Sequence, residues 1–185
     1  MRKLAHALGV EAMSLYNHVA NKEDLEAAIV DRVIGEIELP ESGDWETAIR
    51  ACAISAYAAF VRHPWACDLA MSPGAIPETP SARMRYMEWL LARLRDGGFS
   101  AELTYHAYHA LDSHILGFTL WELGHSMPAG VDLDTAAASV VRTLPADDFP
   151  YLLEHVHQHL DGTDDGASEF EFGLTLILDG LKRLR

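Results

Sequence analysis

The sequence predicts an all-α fold: a short two-helix unit followed by a helical bundle. Three observations predict it. Apolar residues recur at three- and four-residue spacing almost throughout the chain, the pattern of helices with a buried face. No strand-length stretch alternates with period two between turn residues. Capping residues ahead of apolar runs, and Gly or Pro behind them, divide the chain into about nine or ten helical segments.

The elements follow in order. Leu4, Ala5 and Leu8 run to Gly9, a natural left-handed helix terminator, and Met13 to Val19 forms a second short helix. Asn21 caps a helix from about Glu23 to Ile37, with Glu23 and Asp24 in its first turn. Pro40-Glu41-Ser42-Gly43-Asp44 breaks it, and Asp44 caps a helix from Trp45 to about Arg62. His63-Pro64 interrupts again, because proline drives the preceding residue out of the helical region. A short helix to about Met71 follows, then a loop from Pro73 to Pro80. Thr79-Pro80 forms a cap and first-position pair for a helix ending at Gly97-Gly98. Ser100 caps a long helix from Ala101 to about His125. Ser126 to Asp134 reads as a loop, Thr135 to Leu144 as a helix ended by Pro145, and Pro150 to Leu160 as a helix closed by Gly162. The last helix runs from about Ala167 to Leu184. The Pro40–Gly43 break separates a domain at 1–38 from one at 44–185.

Composition narrows the class. The 185 residues are 49% apolar and 23% charged, a globular rather than disordered balance. No apolar run reaches the ~18–20 residues needed to span a bilayer, and the basic start Met1-Arg2-Lys3 has no apolar segment behind it. Cys52 and Cys67 are too few for a disulfide framework, so the chain reads as cytoplasmic with both thiols reduced. The net charge of −14 by itself opposes contact with nucleic acid. Its distribution does not: residues 1–36 sum to −2 and residues 37–185 to −12. Only the second part would be repelled by phosphates.

The first unit has helix-turn-helix spacing. Ala5 is small enough for two helices to cross steeply, Gly9 makes the turn, and Leu4, Leu8, Val10 and Leu15 close the joint. The outer face of the second helix is then Ala12, Met13, Ser14, Asn17 and His18, with Tyr16 at its flank. Short hydrogen-bonding side chains, with no carboxylate beyond Glu11, suit a helix lying in a major groove. Any helical hairpin with a glycine turn shares the spacing, so spacing alone leaves a plain hairpin open.

The residues themselves go further. Met1 to Leu25 closely resembles the DNA-binding motif of the tetracycline-repressor (TetR) family, most specifically at Leu15-Tyr16-x-His18-Val19-x-Asn21-Lys22 and Leu25. Gly98-Phe99-Ser100 before a long helix, His114 and Leu116-Gly117 within it, and the segment from Phe172 to Leu181 resemble the family's C-terminal domain. The resemblance implies that Arg2, Ala12, Met13, Ser14, Asn17 and His18 face base edges. It implies that Ser14, Tyr16, His18 and Lys22 meet the phosphate backbone of a double-stranded operator. Against the family pattern, Met1 falls at the start of the second helix, so the resemblance implies a DNA-binding domain without its first helix: either the chain lacks a piece, or robust DNA binding has been lost. Leu4, Leu8, Leu15 and Leu25 would then be partly uncovered, and residues 1–20 less ordered or packed differently than in intact relatives.

The C-terminal part carries two further expectations. Phe170, Leu174, Ile177 and Leu181 form one apolar stripe on the last helix, and Phe172, Leu176 and Gly180 a second. On the residues alone the second stripe fits either a partner subunit or a central helix buried within one chain. The resemblance implies a homodimer through the long helix at Leu116 and the last helix at Phe172, Gly173, Leu176, Ile177 and Gly180. Polar residues among large apolar ones point to a small-molecule cavity lined by Trp65, Tyr86, Trp89, Tyr105, His109, Asp112, Phe118, Trp121 and Glu122. The stretch from Leu69 to Pro77 lacks the histidine that ligates metal in the tetracycline-binding pattern, so the resemblance implies no tetracycline effector.

His106/His109 and His155/His159 have spacings able to share a metal ion, but His155-x-His157-x-His159 also reads as a solvated face, and no metal site is assigned. A phosphate loop, Gly-x-Ser-x-Gly and His-Glu-x-x-His are all missing from the sequence. His109, Asp112 and Ser113 on one helix do not supply triad geometry. Neither an enzyme nor a cofactor is expected. The sequence thus points to a ligand-responsive regulator, a repressor in its simplest form, binding a palindromic operator as a homodimer and released by an effector. The alternative is a small-molecule-binding dimer that has lost DNA binding with the first helix.

Overall fold

A computed structural model describes residues 1–70, 80–125, 133–160 and 169–185. Among the described residues the chain forms ten helices and no strand. They are α1 (Arg2–Leu8), α2 (Ala12–Tyr16), α3 (Lys22–Ile34), α4 (Trp45–Arg62), α5 (Pro64–Ala70), α6 (Ala82–Asp96), α7 (Ala101–His125), α8 (Leu133–Thr143), α9 (Pro150–Leu160) and α10 (Glu169–Leu184).

Local chemistry sets most boundaries. The Asn21 carboxamide accepts from the Asp24 N–H at 2.7 Å, and the Asp44 carboxylate accepts from the N–H groups of Glu46 and Thr47 at 3.0 and 3.1 Å. Ser100 accepts from the Leu103 N–H at 3.1 Å. Each satisfies donors that the first turn of a helix cannot pair internally. One cap differs from expectation. Ser81, not Thr79-Pro80, caps α6, its hydroxyl accepting from the Met84 N–H at 3.1 Å. Thr79, the expected loop up to it, most of the 126–134 loop and Gly162 lie outside the described residues.

The core sits where α4, α6, α7 and α10 meet, with α3 and α5 closing one end. Ile49, Cys52, Ala56 and Phe60 of α4 pack with Leu90 and Leu94 of α6, Ala107, Leu111 and Ile115 of α7, and Leu174 and Leu178 of α10. Burial pushes the Cys52 thiol up to about 12 and the Cys67 thiol to about 11, so both serve as small apolar fillers. The helices α8 and α9 pair with each other. No helix among the described residues is long and apolar enough to cross a membrane.

Candidate functional site

The N-terminal unit turns at Gly9. Its φ of 68° lets its N–H return to the His6 carbonyl at 3.2 Å, while the Val10 N–H reaches the Ala5 carbonyl at 3.0 Å. Ala5 is buried at the crossing, as its small size predicts. The helix α2 begins at Ala12 and presents Met13, 72% exposed, and Tyr16 to solvent, with Ser14 half withdrawn. Arg2 is exposed on α1.

One expectation needs correction here. The second helix stops at Tyr16 rather than Val19, so Asn17 and His18 are exposed on the turn that follows it. The chain must become extended by Asn21, whose φ is −153°, for that side chain to cap α3, and the helix is cut short to allow it. Lys22 is not a free cation. Its ammonium pairs with Glu26 one turn along α3 at 2.6 Å, which raises its pKa. The pair is exposed, so it contributes little and its partner is exchangeable.

Leu8 is 60% exposed, and Leu4, Leu15 and Leu25 are half-buried. A groove of about 390 Å³ opens between α1, α3 and α5, lined by Met1, Leu4, Leu25, Ile29, Trp65 and Leu69. Trp65 therefore belongs to this groove and not to an interior cavity.

The interior cavity lies at the other end of α3. It measures about 30 Å³ and is walled by Ile34 at the end of α3, Ile37 just beyond it, Phe60, Ala70, Ile115 and Leu116, with Arg83, Tyr86, Tyr108 and Asp112 as polar members. The phenols of Tyr86 and Tyr108 stand beside the Asp112 carboxylate. Burial raises the Asp112 pKa, opposed by the nearby charges of Arg83 and His109 and by the two phenols. Burial likewise raises the Tyr86 phenol well above its ordinary value, with the Asp112 charge adding to it. The Arg83 guanidinium also donates to the Ala70 carbonyl at 3.2 Å. The result is a carboxyl group with two phenols and a guanidinium near it in an otherwise apolar wall.

Of the nine residues expected at a cavity, only Tyr86 and Asp112 line it. Tyr105, 60% exposed, and His109 lie on the outer side of α7, the His109 ring meeting the Tyr105 carbonyl at 2.9 Å. The Trp89 indole N–H donates to the Pro40 carbonyl at 3.2 Å, tying α6 to the α3–α4 connection. A second polar centre holds Glu122 and Phe118: the Tyr57 hydroxyl donates to Glu122, and Tyr57 stacks on Phe170 with ring centroids 4.3 Å apart and meets Phe118 edge-on. Trp121 is exposed beside Phe118. Arg83 and Tyr108 were missed. Tyr108 stands four residues before Asp112, the spacing that puts two side chains on one face.

The helices α7 and α10 share an open apolar face. Phe172 and Leu176 are 65% and 57% exposed, and a side chain added at Gly117 or Gly180 would meet nothing within 4 Å. Three expected interface residues also have contacts within the chain. Leu116 lines the cavity, since it lies one residue from the Ile115 wall. Ile177 is half-buried against the chain's own core. Gly173 admits the His114 ring: a Cβ there would come within 2.5 Å of it. That ring stacks on Phe170 and bonds its carbonyl at 2.9 Å.

A short exposed helix after a glycine turn, joined through one helix to a bundle with a partly polar cavity, fits the class of helix-turn-helix transcriptional regulators. Comparison with known proteins narrows the class. Residues 38–185 match the family model described as "Tetracyclin repressor-like, C-terminal domain". The HTH-type transcriptional repressor Rv1353c of Mycobacterium tuberculosis is 31% identical over 192 residues, spanning all of this chain and 72% of that protein. The class D tetracycline repressor protein of Escherichia coli is 29% identical, across 98% of this chain and 78% of its own length. Among solved structures, the TetR family protein ActR of Streptomyces coelicolor in complex with actinorhodin aligns with a TM-score of 0.79 at 28% identity, over 99% of this chain and 86% of that one. The chain belongs to the tetracycline-repressor family, whose members are transcriptional regulators and not enzymes.

Proposed function

We propose that this protein is a ligand-responsive transcriptional repressor that binds a palindromic double-stranded DNA operator as a homodimer and leaves it when a small molecule occupies the bundle. Residues 1–38 are the DNA-binding domain and residues 44–185 the sensing and dimerisation domain. The observation that carries the proposal is the placement of α3: its first turn follows the exposed α2, and its last turn contributes Ile34 to the polar cavity. Met13, Asn17 and His18 read base edges with Arg2 and Ala12. Tyr16 and Ser14 hold the backbone, joined by Lys22 once it releases Glu26.

The effector is held among Tyr86, Tyr108 and Asp112. A cavity of about 30 Å³ accommodates roughly one or two waters, while drug-sized ligands occupy ~300 Å³ or more, so binding separates the walls. ActR in complex with actinorhodin supports a small organic effector as the kind of ligand sensed. Two-fold pairing through Phe172, Leu176, Gly180 and Gly117 places two copies of α2 on two half-sites. DNA and ligand then oppose each other by population shift, and the acidic second domain is held off the phosphates.

The test is fluorescence anisotropy on a labelled duplex from immediately upstream of the gene, at two salt concentrations. Saturable, salt-sensitive and sequence-selective binding is expected. The second reading is a small-molecule-binding dimer without DNA affinity. Absence of binding on every duplex selects it.

A further inference from the structure

The cavity wall carries an acid and a base that do not meet. Asp112 on α7 and Arg83 on α6 both line it, and the Arg83 charge reaches Asp112 and the neighbouring Tyr108 phenol. Yet among the described residues the ion pairs are Lys22–Glu26, Arg62–Glu36, His63–Glu36 and Lys182–Glu46. The carboxyl and the guanidinium therefore border one space of about 30 Å³ without bridging it. Charges taken out of water are as a rule paired, so the gap between these two marks room for a third group.

The two sides of the gap are held differently. The Arg83 backbone is fixed: the Asp31 carboxylate of α3 accepts from the N–H groups of Ala82 and Arg83, each at 3.0 Å. Gly35 allows that approach, because a Cβ built on it would lie 3.7 Å from that of Ala82. The Arg83 side chain is exposed where the cavity meets solvent, and its guanidinium gives one N–H to the Ala70 carbonyl at 3.2 Å. The rest of the fork is left to donate, and the side chain can swing outward as a ligand enters while staying bonded to it. Asp112 is half-buried beside Tyr86, itself buried, and Tyr108. Burial raises its pKa against the pull of Arg83 and His109.

Charge decides which ligands such a wall accepts. A cation would gain Asp112 but meet Arg83, and an anion would gain Arg83 but meet Asp112. A zwitterion could answer both, but it would bring two more charges against Phe60, Ile115 and Leu116, and stripping charges of water is the larger cost. An uncharged molecule escapes that cost while satisfying both groups. On the reading that this cavity is the effector site, we infer that the effector is an uncharged compound with an apolar body, a hydroxyl that donates to Asp112 and a carbonyl that accepts from Arg83.

The test uses four benzene-ring probes of similar size. They are uncharged meta-hydroxyacetophenone, the cation meta-hydroxybenzylammonium, the anion meta-hydroxybenzoate and the zwitterion meta-(aminomethyl)benzoate. Binding to the full chain at neutral pH is measured by isothermal titration calorimetry, with no DNA present. On the native chain the uncharged probe binds roughly tenfold or more tighter than each of the others. Arg83→Met keeps the apolar stem and removes the cation, so the ammonium probe gains roughly tenfold on the uncharged one. Asp112→Asn gives the same gain to the benzoate. A native chain that prefers a charged probe or the zwitterion, or that binds none of the four, overturns the inference. So does one ranking shared by all three proteins, which would place binding away from Asp112 and Arg83. Arg83→Met alters an exposed residue, so it decides the matter even where Asp112→Asn fails to fold. Since the titrations need no DNA, failure of every duplex to bind would refute the regulator reading while these data still decide the ligand class.

Discussion

Replacing Leu176 tests the dimer from the open face of α10. Leu176 and Phe172 are 57% and 65% exposed in the single chain, on the side of the helix opposite Leu174 and Leu178. Full burial of a leucine is worth ~1.5–3 kcal/mol, so covering the exposed part of Leu176 is worth roughly 1–1.7 kcal/mol per copy. A two-fold interface contains the residue twice. Leu176→Ala therefore costs the dimer roughly 2–3 kcal/mol, or about 30- to 150-fold in dissociation constant at 1.4 kcal/mol per decade. Leu176→Asp costs more, because an unpaired carboxylate would be buried at the contact. Sedimentation equilibrium over a concentration series reads both. Met84→Ala on α6, where the side chain is 38% exposed, is the control and leaves association unchanged. An association constant unmoved by Leu176→Ala, or a native chain that stays monomeric at every concentration, refutes the reasoning.

Three further outcomes are expected. Gly173→Ala forces a Cβ to within 2.5 Å of the His114 ring, displacing it from Phe170 and lowering stability by roughly 1–3 kcal/mol in chemical denaturation; unchanged stability would show that the ring relocates freely. Asp112 has a folded pKa above its ordinary 3.8, so the native state holds its proton longer than the unfolded chain and stability falls as pH rises through that window. Asp112→Asn removes this slope and is relatively more stabilising toward neutral pH, as thermal melts across a pH series would record; an unchanged difference between the two proteins at all pH values would exclude it. Tyr16→Ala weakens all duplexes alike, whereas Asn17→Ala changes the ranking among them; a uniform loss for Asn17→Ala would remove its base-reading role.

The parts of this fold that could be read from sequence are those decided within a few residues. Asn21, Asp44 and Ser100 act on N–H groups two or three positions ahead, and Gly9 acts on its own φ, so each announces a helix boundary without reference to the rest of the chain. Even there, competition spoils a local decision: Thr79-Pro80 and Ser81 are all good starters, and which of them caps α6 depends on where the chain arrives over Asp31. The open stripe at Phe172 and Leu176 was also legible, since a helix with too many apolar positions for one buried face declares a surplus. Gly173 was not. Its reason for being small is a histidine ring from α7, about sixty residues earlier, and no spacing rule links the two.

The cavity shows the same limit more sharply. The helix α7 is apolar on several sides, so periodicity gives no inward direction and Tyr105, Tyr108, His109 and Asp112 look equally eligible. Direction follows only once Ala107, Leu111 and Ile115 are known to be its buried stripe. At about 100° per residue, Tyr108 then falls beside that stripe and His109 on the far side, while Asp112 and Tyr105 share one direction and differ in their position along the helix. The other half of the site comes from α6 and the end of α3, whose approach depends on Asp31 and Gly35. A cavity with a carboxyl and two phenols in its wall is therefore a property of three helices meeting. Its residues were individually visible in the sequence, but their meeting was not, and α3, first noticed as the helix after a DNA-binding motif, proves to be a wall of the cavity as well.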